Sequence, residues 1–280
     1  MTRIAVLGYA SLDYAASVDG DVRWGWTSRI ASRPHGEWPR PGGCSFYVAR
    51  PLAQAGLGVD IVTWTGDDDM GNLYADHCLR HGIGTQGIDA AAGKTTPVSM
   101  LLYKDDGRCA CLIDFGSAGS AATPPQEDLI RGADVVVVTV SPAACGLRAL
   151  DVVRDDALVV WVAKNDPISF PPELRARLGR RARYVFCNND ERAWIDEATA
   201  DADPAQIIIE TRGADPIHVR VQGVTFQIPV TPLQIGDATG AGDTLAGATL
   251  AALLGGEADP LTAVQAGVRA SHELLQRRRA

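Results

Sequence analysis

The sequence predicts an α/β fold built on a mostly parallel sheet covered on both faces, and three observations carry that prediction. Short β-branched runs alternate with helix-spaced segments through most of the chain. The strand candidates are continuously apolar, as strands buried on both faces are. The 280 residues, 46% hydrophobic and 21% charged, can bury a large core without disulfide or metal staples.

Residues 4–7 form an apolar run closed by Gly8 and read as a buried first strand. The run breaks at Ser11 and Asp13, too soon for a signal sequence. Between Asp13 and Gly43 the texture changes to Trp24, Trp26, Trp38, Pro34, Pro39 and Pro41 among polar residues, which predicts strands and turns of an appended sheet or flap. Trp24 and Trp26, two positions apart on a strand, would share a face, either packed on the core or offered to a lid or subunit contact.

Phe46, Val48, Ala49, Leu52 and Ala53 give residues 45–55 helical spacing, with Pro51 expected in the first turns or at a kink. A strand at 59–64 leads into Gly66-Asp67-Asp68-Asp69-Met70-Gly71 and a helix to Arg80, whose start the carboxylates cap. His77 and His81 are four apart on that helix, and with no third ligand nearby a solvated face is expected rather than a metal site. Residues 96–103 and 108–114 flank Asp105-Asp106-Gly107, a hairpin turn signal. Strands at 135–140, 158–163, 184–187 and 206–211 then alternate with helices at 147–154, 172–178 and 191–197. Arg175, Arg177, Arg180, Arg181 and Arg183 read as a solvated helix end. Residues 261–280 read as one or two helices, and Arg277-Arg278-Arg279 suit a helix C-terminus.

Composition narrows the partners. Thirty-four acidic against 26 basic residues leave a net charge of −8. That sign opposes general adhesion to nucleic acid or to anionic membrane, so neither is an expected partner. The longest uncharged stretch, 244–256, is too short and too rich in small residues to span a bilayer. The six cysteines (Cys44, Cys78, Cys109, Cys111, Cys145, Cys187) include no CxxC pair. Cys109 and Cys111 read as small buried strand hydrophobes, and reduced thiols suggest a cytoplasmic protein.

Two glycine-rich segments compete for phosphate. Residues 87–95, G-I-D-A-A-A-G-K-T, end like a P-loop, but five residues separate the glycines where that motif has four, and a hairpin follows instead of a helix. Residues 235–244, I-G-D-A-T-G-A-G-D-T, run straight into the small, apolar helical stretch 245–254. Small residues permit close backbone approach, and a helix start presents free N–H groups and a positive dipole end. A carboxylate at such a place is repulsive to an anion unless it has a task. Asp243 either caps the helix or takes the proton of an attacking hydroxyl while the amides hold a transferring phosphate.

With these residues in view, the chain resembles the ribokinase-like (PfkB) family of carbohydrate and nucleoside kinases. The Asp237–Thr244 segment resembles the family's C-terminal signature, and further likenesses follow in order along nearly the whole chain. Gly8 to Asp13 resembles the first strand and its substrate-binding Asp, and Gly42-Gly43 the glycine pair opening a sugar-contacting helix. Gly66 to Gly71 is similar to the G-x-D-x-x-G element, Asn188-Asn189-Asp190-Glu191 to the N-x-x-E motif, and Thr211-Arg212-Gly213 to a nucleotide-side T-x-G turn.

The resemblance implies a ribokinase-like three-layer α/β/α fold with a mostly parallel central sheet and a small β-sheet lid. The core would comprise residues 1–12, 41–95 and 115–280, and the lid residues 13–40 and 96–114. It implies Asp243 as general base, with Gly240, Ala241 and Gly242 around an anion hole of the Ala241, Gly242 and Asp243 amides. Asp13, Ser11, Gly42, Gly43 and Tyr47 would meet the substrate, Thr211 and Gly213 would border ATP, and Asn188 and Glu191 would position Mg²⁺ through water.

The chain also departs from the family pattern. Tyr47 and Ser11 stand where the family carries Asn, and Pro216 replaces the last glycine of the T-x-G-x-x-G turn. Family members usually continue past the helix at 263–276 with a segment that helps enclose adenine and, in many, a monovalent cation. A looser nucleotide site or no K⁺ dependence would be consistent with that departure. The expected activity is ATP-dependent phosphorylation of a small sugar or sugar derivative. The alternatives are a nucleoside kinase, with Tyr47, Phe115 and Trp24 available to stack on a base, and a catalytically weak binding or regulatory homologue. A homodimer through the lid is in keeping with a family whose lid is often shared between subunits.

Overall fold

The computed structural model describes residues 2–279 apart from 35, 105, 107, 118, 120 and 234. In chain order the first half holds β1 (Arg3–Leu7), β2 (Ser11–Val18), β3 (Ile30–Ser32), β4 (Arg40–Gly42), α1 (Cys44–Gln54), β5 (Gly58–Gly66), α2 (Asp69–Arg80), β6 (Gly84–Ala91), β7 (Val98–Tyr103) and β8 (Cys109–Asp114). Next come α3 (Pro124–Gly132), β9 (Val135–Val138), α4 (Ala143–Val152), β10 (Leu158–Val162), α5 (Pro172–Arg181), β11 (Tyr184–Asn188) and α6 (Arg192–Ala198). The chain closes with β12 (Ile207–Arg212), β13 (Asp215–Val221), β14 (Val224–Ile228), α7 (Ala241–Leu254) and α8 (Pro260–Arg279).

The larger sheet has the order β14-β13-β12-β11-β10-β9-β1-β5-β6. It is parallel from β6 to β12, and the hairpin β13–β14 adds an antiparallel edge. The apolar strands predict this sheet because successive side chains go to opposite faces and both faces are covered. Ile4, Val6, Val135, Val137, Ile207 and Ile209 pack with α1, α2, α7 and α8. Leu7, Val136, Val138, Trp161 and Ile208 pack on the other face with α3, α4, α5 and α6. The result is the expected three-layer arrangement. β1 has β9 on one side and β5 on the other, so the chain reverses its winding between β1 and β9. Such a switch point opens a crevice at the strands' carboxyl ends.

A separate five-stranded sheet runs β3-β2-β7-β8, with β4 paired to β2. The hairpin β7–β8 forms in the expected register, Ser99 opposite Ile113 and Leu101 opposite Cys111. Of its turn, Asp105 and Gly107 lie outside the described residues.

Several local expectations are corrected. Of the two places expected for Pro51 the first turns are excluded, since it is the eighth residue of α1, where its ring leaves the Tyr47 carbonyl without a helical N–H partner. His77 is 2% exposed, because Glu37 folds back to lie 3.2 Å from its Nδ1; a solvated face is wrong. His81 places its Nδ1 2.8 Å from the His77 carbonyl oxygen and its ring edge-on to Phe46. Trp24 and Trp26 sit in the turns between β2 and β3, not on a strand, and both are exposed. Cys109 and Cys111 are also exposed, because β8 is the outer strand of the small sheet. Asp68 caps α2 as expected, accepting the Gly71 N–H at 2.8 Å. The same carboxylate accepts the Thr96 N–H at 2.9 Å and hydroxyl at 2.6 Å, tying α2 to the approach of β7.

Candidate active site

Residues at or just past the carboxyl ends of β1, β9, β10, β11 and β12 (Tyr9, Val140, Lys164, Asn188 and Thr211) line one cavity of about 460 Å³. The inner face of the small sheet closes it through Asp13, Ser99, Leu101, Cys111 and Ile113. Two helices begin at this cavity, α1 after Gly43 and α7 after Gly240, and both bring positive dipole ends to it. Both starts require glycine. Gly43 has φ 85° with its α-carbon against the Tyr9 carbonyl, and Gly240 has φ 74° with its α-carbon against the Tyr47 ring.

Asp243 is the third residue of α7 and lines the cavity. Burial raises its carboxyl above the ordinary value, while the Lys164 ammonium and a hydrogen bond from the Cys44 thiol pull it back. Lys164 is in turn held protonated by the Cys44 sulfur and the Asp243 carboxylate. The amides of Gly242 and Asp243 fall in the first turn, where no helical carbonyl serves them, and the Asp243 amide meets its own carboxylate. Gly242 is exposed and lines the cavity, and no side chain screens its backbone there. The Ala241 amide differs from expectation: it donates to the Ala238 carbonyl at 3.2 Å, closing the bend before the helix.

At the other end of the cavity Ser11 donates to Asp13 at 2.5 Å and meets the Ser99 hydroxyl at 2.9 Å. Burial raises the Asp13 carboxyl, against the hydrogen bond from Ser11 and the charge of Arg40. Gly43 and Tyr47 line the same cavity. Gly42 does not: its missing side chain leaves room for the Asp13 carboxylate, so it supports the acid rather than facing the cavity. Tyr47 is buried, with its hydroxyl accepting from Arg278 at 2.9 Å. Phe115 stands at the cavity with its ring edge-to-face on Tyr9 at 5.9 Å, whereas Trp24 does not line it.

Asn188 and Glu191 face the cavity beside Lys164. The Asn188 side-chain oxygen accepts the Asp190 and Glu191 amides at 2.7 and 3.2 Å. Glu191, 1% exposed, accepts the Asn188 amide at 2.6 Å and the Asn165 amide at 2.8 Å. Burial raises its carboxyl, and those amides with Lys164 oppose the rise. Each Glu191 oxygen is therefore engaged by backbone. No group of three or more His, Cys, Asp or Glu among the described residues is arranged to hold a metal.

Thr211 and Gly242 also line a neighbouring cleft of about 340 Å³ with Gly213, Ala241 and apolar residues including Ile217, Leu233 and Val268. Pro216 sits at the start of β13, and left-handed Gly213 turns the hairpin without a second glycine.

Sequence reasoning missed Lys164, Cys44 and a joint centred on Asp237. Asp237 accepts from Arg40 at 2.5 Å, the Tyr103 hydroxyl at 2.7 Å and the Thr239 amide at 3.0 Å. Arg278 reaches it at 3.4 Å and also donates to the Thr239 carbonyl. Lys164 carried a readable signal, since it directly follows an apolar strand, where parallel sheets keep their ligand-binding residues.

Fold and cavity together describe a phosphotransferase for a small hydroxyl compound. The chain belongs to the pfkB family of carbohydrate kinases, whose profile matches residues 1–280. It is 27% identical to a cytidine kinase of Thermococcus kodakarensis, covering 99% of this chain and 97% of that one. It is 25% identical to ribokinase of Mus musculus over 70% of this chain and 66% of that one. The fold superposes on a nucleoside kinase of Methanocaldococcus jannaschii with a TM-score of 0.80 at 16% identity, covering 99% and 92% of the two chains. A Cryptococcus neoformans ribokinase in complex with ADP gives 0.78 at 20% identity, covering 98% and 93%.

No helix among the described residues is long and apolar enough to cross a membrane.

Proposed function

We propose that this chain phosphorylates a ribose-type hydroxyl of a nucleoside-like acceptor with ATP. The observation that carries the reading is Asp243, a carboxylate raised by burial at the approachable start of α7, in the same cavity as Lys164 and the Ser11–Asp13–Ser99 cluster.

The apolar cleft suits an adenine ring, and it meets the main cavity at Thr211, Ala238 and Gly242. A triphosphate crossing there would bring its terminal group to the Gly242 and Asp243 amides. Phosphoryl transfer depends mostly on in-line positioning and on neutralising charge that spreads over the migrating group. Asp13 orients the acceptor hydroxyl and Asp243 takes its proton. Lys164 balances negative charge as the transition state forms. Ser99, Leu101, Cys111 and Ile113 of the small sheet keep water from the attacking position.

Mg²⁺ fits this site in the outer-sphere manner, since each Glu191 oxygen already accepts a backbone amide and the side chain is held in place by them. Asn188 and Glu191 would hold waters and the surrounding backbone, and the ion would supply charge neutralisation on the nucleotide's phosphates, where magnesium habitually keeps several waters.

Two features favour a nucleoside over the bare sugar that the sequence alone suggested. Tyr9 and Phe115 offer paired aromatic surface at the cavity. Tyr47, in place of a sugar-binding amide, has its hydroxyl committed to Arg278. A coupled ATP-consumption screen over nucleosides, pentoses and hexoses tests the reading. A nucleoside with at least 10-fold higher kcat/KM than ribose supports it, the reverse order returns the assignment to a sugar, and no turnover with any acceptor leaves a binding protein.

A homodimer through the small sheet belongs to the same reading, supported by exposed Met100 and Leu112, which pair on its outer face. Sedimentation of the wild type against Leu112→Ser tests it, and a monomer at all concentrations removes it.

A further inference from the structure

Behind the acceptor cavity, across Tyr47, lies a larger cleft of about 770 Å³ between the small sheet and helices α1 and α8. Five guanidinium groups line it, those of Arg33, Arg40, Arg50, Arg277 and Arg278, against the carboxylates of Glu37 and Asp237. Both carboxylates are already committed. Asp237 serves Arg40, Tyr103 and Arg278, and Glu37 lies 3.0 Å from Arg80 and 3.2 Å from His77. Among the described residues Arg33, Arg50 and Arg277 are left with no carboxylate partner. Arg33 stands over the Trp38 ring at 4.9 Å.

The mismatch reaches below the surface. Nε of Arg50, and Nε and Nη2 of Arg40, are buried without a hydrogen-bond partner. Buried donors are nearly always satisfied, and each exception calls for an explanation. Burial, with Arg277 and Arg278 nearby, also presses the Arg50 guanidinium below its ordinary range. In a chain of net charge −8, unpaired cations gathered in one cleft reverse the prevailing field. Forked guanidinium donors match phosphate oxygens bidentately, and a phosphate's charge of up to about −2 suits several cations better than a carboxylate's single charge.

We propose that this cleft is a second anion site, taking the phosphate group of inorganic phosphate or of a small organic phosphate on Arg33, Arg50 and Arg277. It is separate from the amides at the start of α7, and it does not depend on the kinase reading. Tyr47 forms a wall of both cavities, and its hydroxyl bonds Arg278, so the two sites lie back to back across one side chain.

The test uses the full chain saturated with magnesium and the non-hydrolysable analogue AMP-PNP, which fills the α7 site. Calorimetric titration with inorganic phosphate, and separately with glycerol 3-phosphate, at constant ionic strength should show one remaining saturable site. Arg50→Gln and Arg277→Gln should each weaken it at least 10-fold, leaving AMP-PNP affinity unchanged. Arg277 is exposed on α8, so that variant folds even if Arg50→Gln does not. Tighter glycerol 3-phosphate identifies an organic phosphate as the ligand, and equal or tighter binding of inorganic phosphate identifies the free anion. Loss of the site on AMP-PNP saturation, or wild-type affinity in both variants, overturns the proposal. If AMP-PNP itself does not bind, the kinase reading fails, and the same titrations without it still decide the cleft.

Discussion

Asp243 is caught between opposing effects. Burial favours the neutral acid, whereas Lys164 and the Cys44 thiol favour the carboxylate that a base requires. Replacement by Asn keeps the size and removes the proton acceptor, so Asp243→Asn should lower kcat by about 10²–10⁴-fold with ATP affinity retained. Unchanged turnover would remove Asp243 from the chemistry. Lys164 gives a second check whose sign is fixed. Since its ammonium lowers the Asp243 pKa, Lys164→Met should move the acid limb of the kcat/KM profile to higher pH, besides lowering the rate. A limb that stays in place, or moves to lower pH, contradicts the pairing. Asp243 was legible in the sequence because a carboxylate inside a phosphate-type bend is chemically odd. For Lys164 only the place was legible, at the end of an apolar strand; nothing in Ala163-Lys164-Asn165 shows that this turn meets the start of α7.

For whole elements, legibility followed the strength of the local signal. The apolar strands β1, β9, β10 and β11 were read nearly to their ends because burial on both faces leaves no polar position to confuse them. Helix α3 was missed although Thr123 and Gln126 form a reciprocal capping box with proline at the first turn. Its nine residues, P-P-Q-E-D-L-I-R-G, hold few apolar side chains, and that hid a Gln126 that holds the Thr63 and Gly87 carbonyls, each at 2.9 Å. The hairpin β13–β14 turns at Gln222 and Gly223, both with positive φ, and glutamine is an uncommon occupant of that conformation. Asp68 shows how much one cap carries. It serves both the start of α2 and the Thr96 backbone that leads into β7. Asp68→Ala should therefore cost about 1–2 kcal/mol, the upper part of the capping range, in urea unfolding. A loss within error of zero would mean that the bonds to Thr96 and Gly71 add nothing net.

Across the whole molecule, what sequence patterning could not reveal is how the small sheet is fastened to the core. Arg40 on β4, Tyr103 on β7 and Arg278 on α8 are 197, 134 and 41 positions from Asp237, yet all reach its carboxylate. No periodicity spans such separations, and only the folded topology brings these residues together. Burial alone would raise the Asp237 pKa, but the hydrogen bond from Arg40, with Arg278 and Tyr103, outweighs it and holds the group at about 2 against an ordinary 3.8. A native pKa below the unfolded one means that the unfolded chain binds more protons, so this joint stabilises the fold fully above about pH 4. As pH falls through the native value the contribution, about 2 kcal/mol, drains away. Asp237→Asn should therefore be less stable than wild type at pH 7 and lose less on going from pH 4 to pH 2, so that the two unfolding free energies converge in acid. Because the joint ties β4, beside Asp13, to the bend before α7, the variant should also raise KM for the acceptor more than for ATP. Parallel stability curves across that pH window would show that Asp237 titrates as an ordinary carboxylate and that the sheet is fastened elsewhere.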